Sequence, residues 1–318
     1  MQTIAVARNA MATRFEILLH GENPRSLRAA GEEALDEIDR LEAQLSLYRP
    51  TSEIAHLNGR AAREAVRVSP NVFRLLQQAQ ELSRETDGAF DITIAPLVRC
   101  WGFMGATGKF PEPGEVEAAR AKVGMSLVEL QADDFTVRFA RPGVMLDLGA
   151  IGKGYALERA AELLREAGVT GALLHGGTST IYALGHPPEA EHWKVALEYP
   201  QGEDATASRE LIATVPLRDE AMSVSAIWGR SFTAEGKTFG HVLDPRTGQP
   251  VASTRLAAVV LSSATETDAL STALLVAGEA GHGGIASLRP GMRTMVLTED
   301  LGVDESYRLV SQGISKTR

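Results

Sequence analysis

The stretch Val144-Met-Leu-Asp-Leu-Gly-Ala-Ile-Gly-Lys-Gly-Tyr-Ala-Leu-Glu158 changes hydrophobic period within a few residues, and no other stretch constrains the fold as tightly. Pro142 and Gly143 mark a turn, and Val144, Met145 and Leu146 then read as a short strand buried on both faces. From Tyr155 the period is helical. Ala156, Leu157, Ala160, Ala161, Leu163 and Leu164 share one side, Arg159, Glu162 and Arg165 the other, and Gly168 stops the run. Gly149, Gly152 and Gly154 lie between, where backbone can approach a ligand closely. Unpaired amides at the helix start favour an anion such as phosphate, and Lys153 adds positive charge. The spacing is neither a Walker A loop nor a Rossmann fingerprint, so neither P-loop nor NAD chemistry follows. A plain strand-to-helix connection fits the same residues.

The 318 residues, 44% hydrophobic and 23% charged, suffice for a large core. A formal net charge of -9 disfavours a nucleic-acid surface. Cys100, the single cysteine, excludes an intramolecular disulfide and a cysteine-based zinc site, and it reads as core packing beside Trp101. Neither a secretory leader nor an apolar run of membrane-spanning length is visible. The expected location is cytoplasmic, or periplasmic if a leader preceded this numbering.

Phe15 to Leu19 predicts an opening strand, with Met11 a buried strand residue or part of a ligand-facing segment. Amphipathic stripes predict helices over 24–45 and 69–86, the second capped by Ser69 with Pro70 at its first position; Ser52 caps a short helix between them. A connection rich in buried aromatics follows, then an exposed loop over 105–114, a short helix over 115–121 and a hairpin from 127 to 140. Gly171 to Gly185 reads as strand, glycine turn and return strand. Further strands are expected at 193–198, 211–217, 221–225, 255–262, 294–298 and 307–310, a polar flexible stretch at 201–208, and a helix over 265–278. Hairpins mixed with helices favour an α+β fold of mixed, largely antiparallel sheets with packed helices. Residues 1–318 read as one unit, with or without two lobes.

Asp268 and Thr272 stand at i, i+4 on the predicted last helix, which places a carboxylate and a hydroxyl on one face. Magnesium takes such oxygen ligands and keeps contact with substrate phosphates; a first-turn carboxylate beside a threonine bonded back to a carbonyl fits the same pattern. His241, near Asp244 in a tight turn, is a candidate proton acceptor. The other histidines show no metal-ligand spacing.

Six segments in order resemble the ApbE family of flavin transferases: Met11-Ala-Thr13; Ser52-Glu-Ile-Ala-His-Leu-Asn58; Gly88-Ala-Phe-Asp-Ile-Thr-Ile-Ala-Pro-Leu-Val98 with Trp101-Gly-Phe103; Asp147-Leu-Gly-Ala-Ile-Gly-Lys-Gly-Tyr155; His241-Val-Leu-Asp-Pro-Arg-Thr-Gly-Gln-Pro250; and Thr267-Asp-Ala-Leu-Ser-Thr272. The resemblance implies an ApbE-like, T-fold-related architecture. It implies an enzyme that uses Mg2+, cleaves FAD, transfers FMN to a threonine of an acceptor protein and releases AMP. By position, Asp268, Thr272 and the carbonyl of Ala150 correspond to metal ligands. Met11, Tyr48, Ala89, Phe90, Asp91, Asp147 and Lys153 correspond to flavin-site residues, and His241 to the base for the threonine hydroxyl.

Four departures from the family pattern fall at ligand- or acceptor-facing segments: Ala12 for glycine, Ile92 for proline, Thr178 for aspartate, and Val224-Ser-Ala-Ile-Trp228 for a pattern with glycine and tyrosine. The altered 176–178 and 224–228 segments motivate one alternative, a non-catalytic FAD-binding protein; the resemblance also implies another, an FAD pyrophosphatase giving FMN and AMP. Every version requires Asp268 to face the loop after Leu146.

Overall fold

The computed structural model describes residues 1–105, 108–199, 210–227, 229, 231–234, 236–299 and 307–317; the predicted flexible stretch 201–208 and Trp228 lie outside them. The chain opens with two strands where the sequence predicts one, β1 (Gln2–Ala10) and β2 (Thr13–Gly21), paired antiparallel. β1 is an edge strand with few buried residues, so its alternation is weak. Met11 is not a buried strand residue. It forms, with Ala12, the two-residue hairpin turn at φ 49 and 59, a conformation that turns of this type require and that L side chains adopt at a cost.

Helix α1 (Pro24–Leu45) buries Leu27, Leu35, Ile38, Leu41 and Leu45, each of which contributes about 1.5–3 kcal/mol of apolar burial. Helix α2 (Glu53–Arg60) is capped by Ser52 Oγ, which accepts the Ala55 amide at 2.9 Å. β3 (Val66–Arg67) and α3 (Pro70–Glu85) follow. Ser69 precedes Pro70 as expected but makes no side-chain cap; its hydroxyl donates to the Glu53 carboxylate instead. The predicted aromatic connection holds α4 (Ala95–Cys100), and α5 (Pro113–Arg120) leads to the hairpin β4 (Val128–Gln131) and β5 (Thr136–Phe139).

Val144 to Leu146 is buried, yet it joins no sheet. The side-chain amide of Asn58 takes the place of a neighbouring strand: its Oδ1 accepts the Leu146 amide at 2.7 Å and its Nδ2 donates to the Leu146 carbonyl at 2.9 Å. Buried backbone groups need partners, and a side chain meets the need as well as a ladder does. Helix α6 (Gly152–Glu166) then runs to a stop at Gly168, φ 79.

The remaining strands are β6 (Gly171–Gly176), β7 (Thr180–Gly185), β8 (Trp193–Glu198), β9 (Leu211–Leu217), β10 (Glu220–Ala226), β11 (Ser231–Ala234), β12 (Lys237–Gly240), β13 (Thr254–Leu261), β14 (Arg293–Glu299) and β15 (Tyr307–Gln312). Eight strands form one antiparallel sheet in the order β1-β2-β6-β7-β10-β13-β14-β15. Helices α1 and α6 with α7 (Ala264–Ala286) cover one face. The β8–β9 hairpin covers part of the other, burying Val195, Leu197, Ile212 and Val215 against Ile181, Met222 and Leu256. Helix α7 does not stop at Gly278: that residue, at φ 62 and ψ -159, kinks it and the helix resumes.

Candidate active site

The turn between Leu146 and α6 is shaped mainly by bonds within the protein. Asp147 Oδ1 accepts the Gly149 amide at 2.8 Å, and the Leu148 carbonyl accepts the amides of Ile151 and Gly152. The Gly154 amide donates to Asp268 Oδ2 at 3.0 Å. The expectation of a row of unpaired amides awaiting an anion is therefore corrected, because four of them already have acceptors. What the turn offers an anion is the Lys153 ammonium, whose Nζ lies 3.1 Å from the Gly149 carbonyl and 3.6 Å from Asp268 Oδ1.

Gly154 is also a packing glycine. A Cβ there would sit 2.1 Å from the Ala264 carbonyl oxygen and 2.7 Å from the Asp268 Cβ, so its bare backbone lets α6 abut α7. Asp268 is 4% exposed and faces this turn. Thr180 Oγ1 approaches Asp268 Oδ1 at 3.4 Å, and Thr272 Oγ1 lies 3.3 Å from the Asp268 carbonyl and 3.2 Å from Ser225 Oγ.

Met11, Tyr48, Ala89, Phe90, Asp91, Asp147, Ala150, Lys153, His241, Asp268 and Thr272 all line one cavity of about 1140 Å³. Ordinary small-molecule pockets span roughly 300–1,000 Å³. Tyr48 is the exposed member, while Ala89 and Phe90 form a buried wall. Asp91 is in the wall, but its carboxylate is engaged by the protein: Oδ1 accepts the Thr93 amide at 2.8 Å and Oδ2 accepts the Met125 amide at 2.9 Å and Ser83 Oγ at 3.2 Å. It shapes the segment around Phe90.

His241 lines the cavity directly after β12, whose Phe239 belongs to an aromatic cluster. Hairpin β11–β12 stacks Phe232 on Phe239 and packs both, tilted, against Trp101, whose Nε1 donates to the Gly248 carbonyl at 2.8 Å. The turn beyond His241 is closed by Asp244, whose carboxylate accepts the Arg246 amide, Nε and Nη2 at 2.9 Å each. That carboxylate is committed to Arg246, which the sequence alone leaves open as a companion for His241.

Residues 11–296 match the ApbE family. The chain belongs to the ApbE family. It is 29% identical over 288 residues to an FAD:protein FMN transferase of Haemophilus influenzae, covering 87% of this chain and 82% of that one. An FAD:protein FMN transferase of Klebsiella pneumoniae is 35% identical over 216 residues, covering 67% and 64%. The flavinyl transferase ApbE of Pseudomonas stutzeri, solved in apo form, superimposes with a TM-score of 0.84 at 26% identity, covering 98% of this chain and 95% of that one.

No cluster of three or more histidine, cysteine or carboxylate groups suited to a metal exists among the described residues of this ApbE-family chain. The set that fits a hard cation is sparser: one carboxylate, Asp268, with the Thr272 hydroxyl and the Ala150 carbonyl on the same cavity. All three are oxygen donors, and Mg2+ accepts few protein ligands when waters and phosphates complete its shell. Sequence reasoning left His175, Ser179 and residues Lys194 to Glu198 of β8 out of the site, although all line the cavity. His175 sits at the end of β6, and burial lowers its imidazole from the usual value. The glycine turn after it was the available signal; which sheet face carried the cavity was not readable. No described helix is long and apolar enough to cross a membrane.

Proposed function

We propose that this chain transfers FMN from FAD to a threonine hydroxyl of an acceptor protein and releases AMP, with Mg2+ as its metal. The observation that carries the reading is the meeting of Asp268, Lys153 and the turn after Leu146 on one wall of a cavity large enough for a dinucleotide. The FAD:protein FMN transferases among its relatives support it.

In this reading the threonine Oγ attacks the phosphorus of the FMN half. The bond from that phosphorus to the oxygen of the AMP phosphate breaks, AMP leaves with the bonding pair, and the threonine proton passes to a ring nitrogen of His241. Lys153 offsets pyrophosphate charge, and Asp147 holds the turn in shape through the Gly149 amide. Asp268, Thr272 and the Ala150 carbonyl would hold Mg2+, which when bound would supply further neutralisation of phosphate charge. Ala89 and Phe90 offer the apolar surface a flavin ring needs.

The test is incubation with FAD, MgCl2 and a threonine-bearing acceptor, read by intact mass and by AMP release. One FMN added per AMP formed, both lost in Asp268→Asn, is the expected result. AMP with free FMN and an unlabelled acceptor would replace the reading with FAD pyrophosphatase activity. FAD bound without any AMP would replace it with flavin binding alone.

A further inference from the structure

Six consecutive residues, Lys194 to Tyr199, line the cavity. Successive side chains of a strand point to opposite faces, and here Val195 and Leu197 are buried while Lys194 and Ala196 are exposed. A wall that includes neighbours from both faces is the edge of the strand, where the backbone lies. Among the described residues β8 pairs with β9 alone, so its other edge carries amides and carbonyls outside any ladder.

That edge is continuous with the Asp268 site. On β10, Ser223 and Ser225 bond to α7 side chains, whereas Met222 packs on the opposite face against the β8–β9 hairpin. Ser225 and Met222 both line the cavity, which therefore reaches both faces of the sheet. Gly177, Thr178 and Ser179, the turn between β6 and β7, line it as well. Thr178, and the departing segment that begins at Val224, lie along this passage.

We propose that the edge of β8 over Lys194 to Leu197 that no described strand pairs is where the acceptor docks: an extended polypeptide segment adds to β8 as a third strand and delivers its hydroxyl residue past the Gly177–Ser179 turn to the Lys153 and Asp268 end. This rests on the transferase reading. A polypeptide in extended form matches alternating backbone donors and acceptors, as in other cases of strand addition; a dinucleotide does not. Val195 and Leu197 stand on one side of the added strand and Lys194, Ala196 and Glu198 on the other, so the acceptor's alternate residues meet an apolar surface and a polar one, with Lys194 the basic contact at one position.

The probe is a library of nine-residue peptides with a central threonine and randomised flanks, incubated with FAD and MgCl2. The best-labelled peptide is then remade with a single N-methyl group at each backbone amide in turn. KM is expected to rise at least tenfold for alternate amides and to stay within twofold for those between, with kcat unchanged. Lys194→Glu, on an exposed residue, is expected to turn an acidic preference at one peptide position into a basic one, with the FAD Kd within twofold. An N-methyl scan without alternation overturns the docking mode. So does a Lys194→Glu enzyme with unchanged peptide preference and a tenfold weaker FAD Kd, which would give that end of the cavity to the dinucleotide. Labelling of intact acceptor proteins but of no peptide overturns strand addition alone, whereas a wild-type enzyme that labels nothing and releases no AMP overturns the transferase reading beneath it.

Discussion

Asp268 Oδ2 accepts the amide hydrogen of Gly154 at 3.0 Å and thereby joins the first turn of α6 to α7 across 114 positions of sequence. A carboxylate at a helix start is favoured by the helix dipole, and here the same bond fixes the direction in which the second oxygen faces Lys153. Structure and proposed chemistry thus share one side chain.

Gly154→Ala should damage both. The added Cβ meets backbone at 2.1 Å, and overpacking of this kind costs about 1–3 kcal/mol. The expected outcome is a lower urea midpoint and a loss of AMP release of at least about tenfold. Gly283→Ala is the control, because a Cβ there meets nothing within 4 Å, and in this helix it should stabilise by about 0.5–1 kcal/mol. Equal midpoints for the two variants would refute the packing role of Gly154.

Asn58→Ala removes both hydrogen bonds to Leu146, which is fully buried. Leaving buried backbone groups without partners costs about 1–3 kcal/mol. The Leu146 amide should exchange hydrogen markedly faster than in the wild type, and FAD affinity should fall because the turn loses its support. Unchanged exchange at Leu146 would show that another group supplies the bonds.

Burial holds the imidazoles of His20, His175 and His282 below their usual value near 6.5. Each stays neutral in the folded chain at a pH where the unfolded chain takes up a proton. The contribution to stability is therefore present above about pH 6.5 and is lost as pH falls from there toward the folded values, at up to about 1.4 kcal/mol per pH unit per proton. Urea midpoints should drop between pH 7.5 and 5.5. His282→Gln, at the residue whose Nε2 lies 2.9 Å from Thr294 Oγ1, should make the slope shallower. A slope identical to the wild type would remove His282 from the titration.

Asp268→Ala should reduce transfer more than His241→Ala does. Loss of a general base costs about 10²–10⁴-fold, the role proposed for His241, whereas loss of Asp268 removes the carboxylate of the proposed metal set and the acceptor of the Gly154 amide together. AMP release measured for both, with FAD binding by fluorescence as the companion reading, decides the order. His241→Ala should bind FAD as the wild type does.

Much of the fold was readable because its signals are local. The stripes of α1, α3 and α6 repeat every three to four residues whatever they pack against, and the hairpin of β6 and β7 follows from its glycine turn. The weak spots were places where a partner remote in sequence supplies what local pattern assigns to a neighbour. Val144 to Leu146 has the composition of a strand, yet its ladder partner is the Asn58 side chain. Met11 has the character of a core residue, yet a two-residue turn holds it at positive φ.

The candidate site divides in the same way. The order of its short segments, with a carboxylate and a hydroxyl one helical turn apart, is a property of the chain itself and marks the family before any coordinates are drawn. Tertiary structure alone decided that the amides after Leu146 already have acceptors, that Gly154 is bare to admit α7, and that Lys194 to Glu198 of β8 line the same cavity as Asp268. Periodicity reports which side of an element is apolar; it carries no information about which remote backbone or carboxylate will meet that side, because such meetings are set by the packing of whole layers.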